Sequence, residues 1–94
     1  MKKVSIITTY YNAKDFILEA INSINQQIIP DDLEVEYVLV NDKSTDNSNE
    51  IVKSFISQHG NPKIKYNFVE PEENLGCGGA RKFGIDHASG DYFM

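Results

Sequence analysis

Asp42 follows the apolar run Tyr37-Val38-Leu39-Val40 and heads a dense polar stretch, Asp42-Lys43-Ser44-Thr45-Asp46-Asn47-Ser48. A carboxylate at the end of a strand can accept a hydrogen bond from the ring N–H of a uracil or from ribose hydroxyls. The same residue type also serves turns and caps. Ser44, Thr45 and Asp46 read first as local capping of the helix that follows, since all three are N-cap types. Tyr11-Asn12 closes another short apolar run. A tyrosine there offers a flat, rigid face to a nucleobase, or covers the edge of a core. The stretch Asn74-Leu75-Gly76-Cys77-Gly78-Gly79-Ala80-Arg81-Lys82 joins glycines to two cations. Glycines permit close backbone approach and positive φ, and a helix starting there aims N–H groups at an anion. Arg81 and Lys82 equally suit a solvated helix face.

Other residues carry less chemistry. Cys77 has no base placed beside it by sequence and reads as a small residue in a tight loop. His59 and His87 fall at helix ends, where a cation is mildly favoured, and two isolated histidines make no metal site. A single cysteine cannot build a disulfide framework. The chain has 94 residues and a net charge of −5. That charge argues against a surface built to coat nucleic acid. No stretch approaches the run of roughly 20 apolar residues that spans a membrane, and the N-terminal apolar run is too short for a signal peptide. A soluble, cytoplasmic protein is the expectation.

These residues need a scaffold. Val4–Thr8 reads as a first buried strand, and Lys14–Gln27 as an amphipathic helix with Phe16, Ile17, Ala20, Ile21 and Ile24 on its apolar stripe. Val35–Val40 reads as a second strand. Ile51, Val52, Phe55 and Ile56 mark a second helix, ended by Gly60-Asn61-Pro62. Ile64–Val69 is a third strand. The glycine cluster leads into a third helix through Ala80, Phe83 and Ala88, which Gly90 ends, and Asp91–Met94 opens a fourth strand. Alternating strands and helices predict a three-layer α/β/α domain with a mainly parallel sheet. Ligands then bind beyond the carboxyl ends of the strands, where Thr8–Asn12, Asn41–Asp46 and Glu70–Arg81 would gather. A nicotinamide-dinucleotide fingerprint needs glycines after the first strand, and Thr8–Asn12 has none.

Three segments resemble family 2 glycosyltransferases in order and spacing. Val4–Asn12 resembles the family's opening strand. Val38–Asp46 is similar to its second strand with the Asn-Asp-Gly-Ser-Thr-Asp signature. Asn74–Gly84 resembles its Asn-x-Gly-(x)3-Ala-Arg-Asn-x-Gly segment, continued by Ile85, Ala88, Gly90, Asp91 and Tyr92. The resemblance implies the Rossmann-like half of a GT-A fold. It also implies a nucleotide-diphosphate sugar donor, most often UDP-linked, and an inverting transfer to a glycan or lipid-linked acceptor. By matching positions it puts Thr9, Tyr11 and Asp42 against the nucleoside, with Asn12 beside them as a further substrate-binding residue. Asn74, Gly79 and Arg81 would lie near the phosphates or sugar. Thr9, Lys43 and Lys82 stand where the family has proline, glycine and asparagine. A glycine at the position of Lys43 often permits a backbone angle that lysine resists.

The same resemblance places an Asp-x-Asp-like segment after Tyr92-Phe93-Met94, with aspartates that hold Mn²⁺ or Mg²⁺, and a general base further on. The chain is therefore expected to be the N-terminal nucleotide-binding part of one catalytic domain. It is expected to be inactive alone and prone to self-association through a bared sheet edge. The rival expectation is a nucleotide-binding or regulatory module without transferase activity.

Overall fold

The computed structural model describes residues 2–93. Met94, read from the sequence as part of the fourth strand, lies outside them. Chain order is β1 (Lys2–Tyr10), α1 (Ile17–Asn25), β2 (Leu33–Asn41), α2 (Ser48–His59), β3 (Ile64–Val69), α3 (Gly76–Asp86) and β4 (Tyr92–Phe93). The strands form one sheet in the order β3-β2-β1-β4, and every neighbouring pair is parallel. Register aligns Val4 with Val35, and Val35 in turn with Ile64.

Alternation along the strands sends side chains to two cores, because successive residues point to opposite faces. Val35, Tyr37 and Leu39 pack with Ile17 and Ile21 of α1 and Val52 of α2. Val38 and Val40 pack with Ile7 of β1 and Ala80 of α3 on the other face. The sheet is thus sandwiched between α1 and α2 on one side and α3 on the other, the three-layer arrangement expected. Buried on both faces, β2 must be apolar almost throughout. Glu36 breaks that run at 3% exposure.

Three local expectations need correction. α1 starts at Ile17 rather than Lys14, because the Ala13 carbonyl accepts both the Phe16 and Ile17 N–H groups in a preceding turn. Phe16 is consequently 74% exposed, and Ala20 also faces solvent; Ile17 and Ile21 carry the burial. Gly76, Gly78 and Gly79 form the first turn of α3 rather than a loop ahead of it, and Ala88 lies beyond its end. Of those three glycines, Gly76 alone has a positive φ, 77°. β1 and β2 each extend past their expected bounds because their ladder is continuous from Lys2↔Leu33 to Tyr10↔Asn41.

Candidate nucleotide site

The connections after β1 and β2 turn to the face covered by α1 and α2, whereas the connection after β3 turns to α3 on the opposite face. Diverging loops leave a crevice outside the strand ends. A cleft of 320 Å³ opens there, lined by Thr9, Tyr10, Tyr11, Asp42, Asn74, Gly76 and Cys77. Four of the residues singled out from sequence, Thr9, Tyr11, Asp42 and Asn74, therefore meet at one place. Tyr11 is 49% exposed, so its ring is available on the lip.

Asp42 is the centre of this site and is almost fully buried, at 3% exposure. Its Oδ1 accepts the Leu75 N–H at 2.8 Å and its Oδ2 accepts the Gly76 N–H at 3.0 Å. The Asn74 amide donates to the Asp42 carbonyl at 2.9 Å. Asp42 thus fastens the start of α3 to the end of β2. At the helix start the Leu75 and Gly76 N–H groups are therefore held by an internal carboxylate. Each carboxylate oxygen still has a second acceptor position, so the group can bind a ligand donor as well. The backbone after it is unusual. Lys43 has φ 60°, the conformation for which the resemblance implies glycine.

Asn12 ties two loops together. At φ 49° it turns its side chain back to the loop after β2. Its Oδ1 accepts the N–H groups of Thr45, at 2.7 Å, and Asp46, at 3.2 Å, and its own N–H donates to Ser44 Oγ at 3.1 Å. It buckles the two lips of the cleft together. Ser44 and Thr45 therefore partner Asn12 rather than cap α2. Asn47 is the N-cap of α2 and makes no side-chain cap bond; one residue earlier, the Asp46 carboxylate accepts both the N–H and the hydroxyl of Ser48, the first residue of α2. The Ser48 hydroxyl bond is the largest cause holding Asp46 below the usual carboxylate range.

Gly79 and Arg81 do not line the cleft. Gly79 lies on the exposed side of α3, and the Arg81 guanidinium reaches the Ile7 carbonyl of β1 at 3.4 Å. Conversely Tyr10, Gly76 and Cys77 line the cleft without having been singled out for binding. Strand parity could have found Tyr10's orientation: it lies on the face of Ile6, and its hydroxyl donates to Asn49 Oδ1 of α2 at 3.0 Å. Burial first, and the nearby Glu70 charge second, push the Tyr10 phenol above its usual range, so it stays neutral.

Among the described residues no three His, Cys, Asp or Glu side chains cluster as metal ligands would. Asp42 and Cys77 are the ligand types of the cleft. One carboxylate and one thiol, with no third such ligand clustered beside them among the described residues, do not make the oxygen-rich ligand set of Mn²⁺ or Mg²⁺, which the resemblance puts on a later segment. No helix among them is long and apolar enough to cross a membrane.

Comparison with known proteins bears on this geometry. The chain is 34% identical over 94 residues to the teichoic acid poly(glycerol phosphate) polymerase of Staphylococcus epidermidis, matching all of this chain and 12% of that protein. The structure of S. aureus TarS 1-349 in complex with UDP-GlcNAc superposes with a TM-score of 0.79 at 30% identity, over 100% of this chain and 25% of that one. The mannosyltransferase PcManGT from Pyrobaculum calidifontis, in complex with GDP-Man and Mn²⁺, superposes at 0.85 and 29% identity, over 98% and 26%. The chain therefore spans about a quarter or less of the lengths of these proteins. This fold is the Rossmann-like half of a GT-A domain. The model of the family described as glycosyl transferase family 2 matches residues 5–94, and the chain belongs to that family.

Proposed function

We infer that this chain is the donor-binding part of a glycosyltransferase that takes a sugar from a nucleotide diphosphate, with UDP the first candidate. The whole protein passes the sugar, with inversion, to a glycan or lipid-linked acceptor. The observation that carries the reading is the convergence of Thr9, Tyr11, Asp42 and Asn74 on one cleft at the strand ends. An aromatic lip can stack on a base, and a buried carboxylate can take its ring N–H. The UDP-GlcNAc and GDP-Man held by the TarS and PcManGT structures support a nucleotide-sugar donor. A divalent ion would neutralise the leaving diphosphate, and its ligands would come from outside residues 2–93. Without that ion and without a placed general base, the 94-residue chain by itself does not catalyse transfer.

Isothermal titration of UDP, with CMP and NAD as controls, tests the reading. Asp42 also anchors α3, so Asp42→Ala would confuse lost binding with a moved helix. Tyr11→Ala is the cleaner variant because its side chain is half exposed and makes no hydrogen bond to the described residues. UDP should bind in preference to both controls, and Tyr11→Ala should weaken it about tenfold, within the range of a stacked base. A folded chain that binds none of the three, or binds UDP equally well without the Tyr11 ring, overturns this assignment.

A further inference from the structure

Glu36 is a carboxylate buried in the middle of the sheet, remote from the cleft and unused by the donor reading. Burial of a charge is costly unless hydrogen bonds and opposite charge offset it. Here the partners are numerous and come from distant parts of the chain. Oε1 accepts the Ser5 hydroxyl of β1 at 2.8 Å and the Ser89 N–H at 2.9 Å. Oε2 faces the Asn67 amide of β3 and the Ser89 hydroxyl, each at 3.5 Å. The Lys3 ammonium donates to the same Ser89 hydroxyl.

The arrangement continues into the chain that enters β4. Ser5 Oγ, while donating to Glu36, accepts the Gly90 N–H at 2.9 Å. The Asp91 N–H then donates to the Lys3 carbonyl at 2.8 Å, and β4 pairs with β1 at Val4↔Tyr92 and Ser5↔Phe93. The approach is close. A Cβ on Gly90 would lie 2.4 Å from Ser5 Oγ and 2.8 Å from Ser5 N, so no side chain fits at that point. Within the described residues β4 pairs with β1 at these two positions.

We propose that Glu36 is a positioning residue: through Ser5 and the Ser89–Gly90 backbone it fixes where β4 joins β1. β4 is parallel to β1, so the chain running through Phe93 is aimed at the edge where Thr9 and Tyr11 lie. The relevance of that aim to transfer rests on the donor-binding reading; the seating itself does not. A carboxylate that merely stabilised the sheet would weaken all of it together. A seating device loosens β4 first and leaves the β1–β2 ladder in place.

Hydrogen exchange read residue by residue on the 94-residue chain separates these cases. In Glu36→Gln the amides of Ser89, Gly90 and Asp91 should exchange about tenfold faster or more, as expected on losing a hydrogen bond to a charged acceptor. Val38 and Leu39 should keep their protection. Ser5→Ala, which removes the relay but leaves the carboxylate, should speed exchange at Gly90 and Asp91 while Ser89 keeps its bond to Glu36, and it keeps the test available if Glu36→Gln folds poorly. Titration of UDP into Glu36→Gln should give the wild-type affinity, since the cleft residues are untouched. Unchanged exchange at Ser89–Asp91 in both variants, or a uniform loss that includes Val38 and Leu39, overturns the proposal. Failure of UDP to bind even the wild-type chain would sink the donor reading and leave the exchange result to decide the role of Glu36.

Discussion

Replacing Gly84 by alanine gives the sharpest test of how α3 is seated. Gly84 is buried in α3 where the helix meets the sheet. An added Cβ would lie 2.8 Å from Ile7 Cγ2 and 2.8 Å from Val40 Cγ2. Both neighbours are β-branched and sit in the core at 6% and 0% exposure, so neither can rotate its methyl away freely. Overpacking of this kind costs about 1–3 kcal/mol. The alanine recovers about 0.5–1 kcal/mol because glycine is the poorer helix former. The net expectation is a loss of about 1–2 kcal/mol, which for a chain of this size lowers Tm by about 5–15 °C. The control is Gly78→Ala in the same helix, where an added Cβ meets nothing within 4 Å. That change should raise stability by about 0.5–1 kcal/mol through helix propensity alone. Urea unfolding of the two variants beside wild type measures both. Equal losses in the two, or a Gly84→Ala chain as stable as wild type, would refute the account of α3 lying flush on β1 and β2. The effect reaches the cleft, since α3 pushed outward draws Leu75 and Gly76 away from the Asp42 carboxylate, and UDP affinity should fall in Gly84→Ala.

Three further outcomes follow from particular residues. Lys43→Gly relieves a left-handed residue costing about 1–2 kcal/mol, but loosens the unfolded chain by about 0.4–1 kcal/mol and removes a solvent-exposed pair with Glu70 worth about 0–1 kcal/mol. Its stability should lie between about 1 kcal/mol lower and about 1.5 kcal/mol higher than wild type, and a loss beyond about 1 kcal/mol in urea unfolding would contradict the backbone assignment. For Glu36, burial alone would raise the pKa, but the Ser89 N–H, the Ser5 hydroxyl, the Lys3 charge and the Asn67 amide together hold it below its ordinary 4.5. A lowered folded pKa means stability present above that value and lost as pH falls through the folded one. Tm should therefore decline as pH drops below 4.5, and Glu36→Gln should flatten that decline; identical slopes would show that Glu36 does not titrate as argued. Finally, β4 is an outer strand whose Tyr92 and Phe93 are 53% and 45% exposed. Unpaired edges recruit other strands, so sedimentation should show concentration-dependent association, and a monomer at every concentration would dismiss it.

Strand and helix order, the parallel sheet and the location of the cleft were legible in the sequence because they rest on local periodicity. β-branched runs, a stripe at Ile17, Ile21 and Ile24, and polar residues at strand ends need only neighbours within a few positions to declare themselves. The glycine expected at position 43 is also a local backbone requirement, and Lys43 meets it with φ 60°. What the tertiary structure decided was which polar group answers which. Asp42 meets Leu75 and Gly76, Asn12 meets Thr45, Arg81 meets Ile7 and Glu36 meets Ser89, all at separations above 30 residues. A side chain that reads as a ligand for a nucleotide reads equally as a ligand for distant backbone. Hydrogen-bonding capacity is written in the residue type, but its partner is set by where the sheet brings the strand ends together.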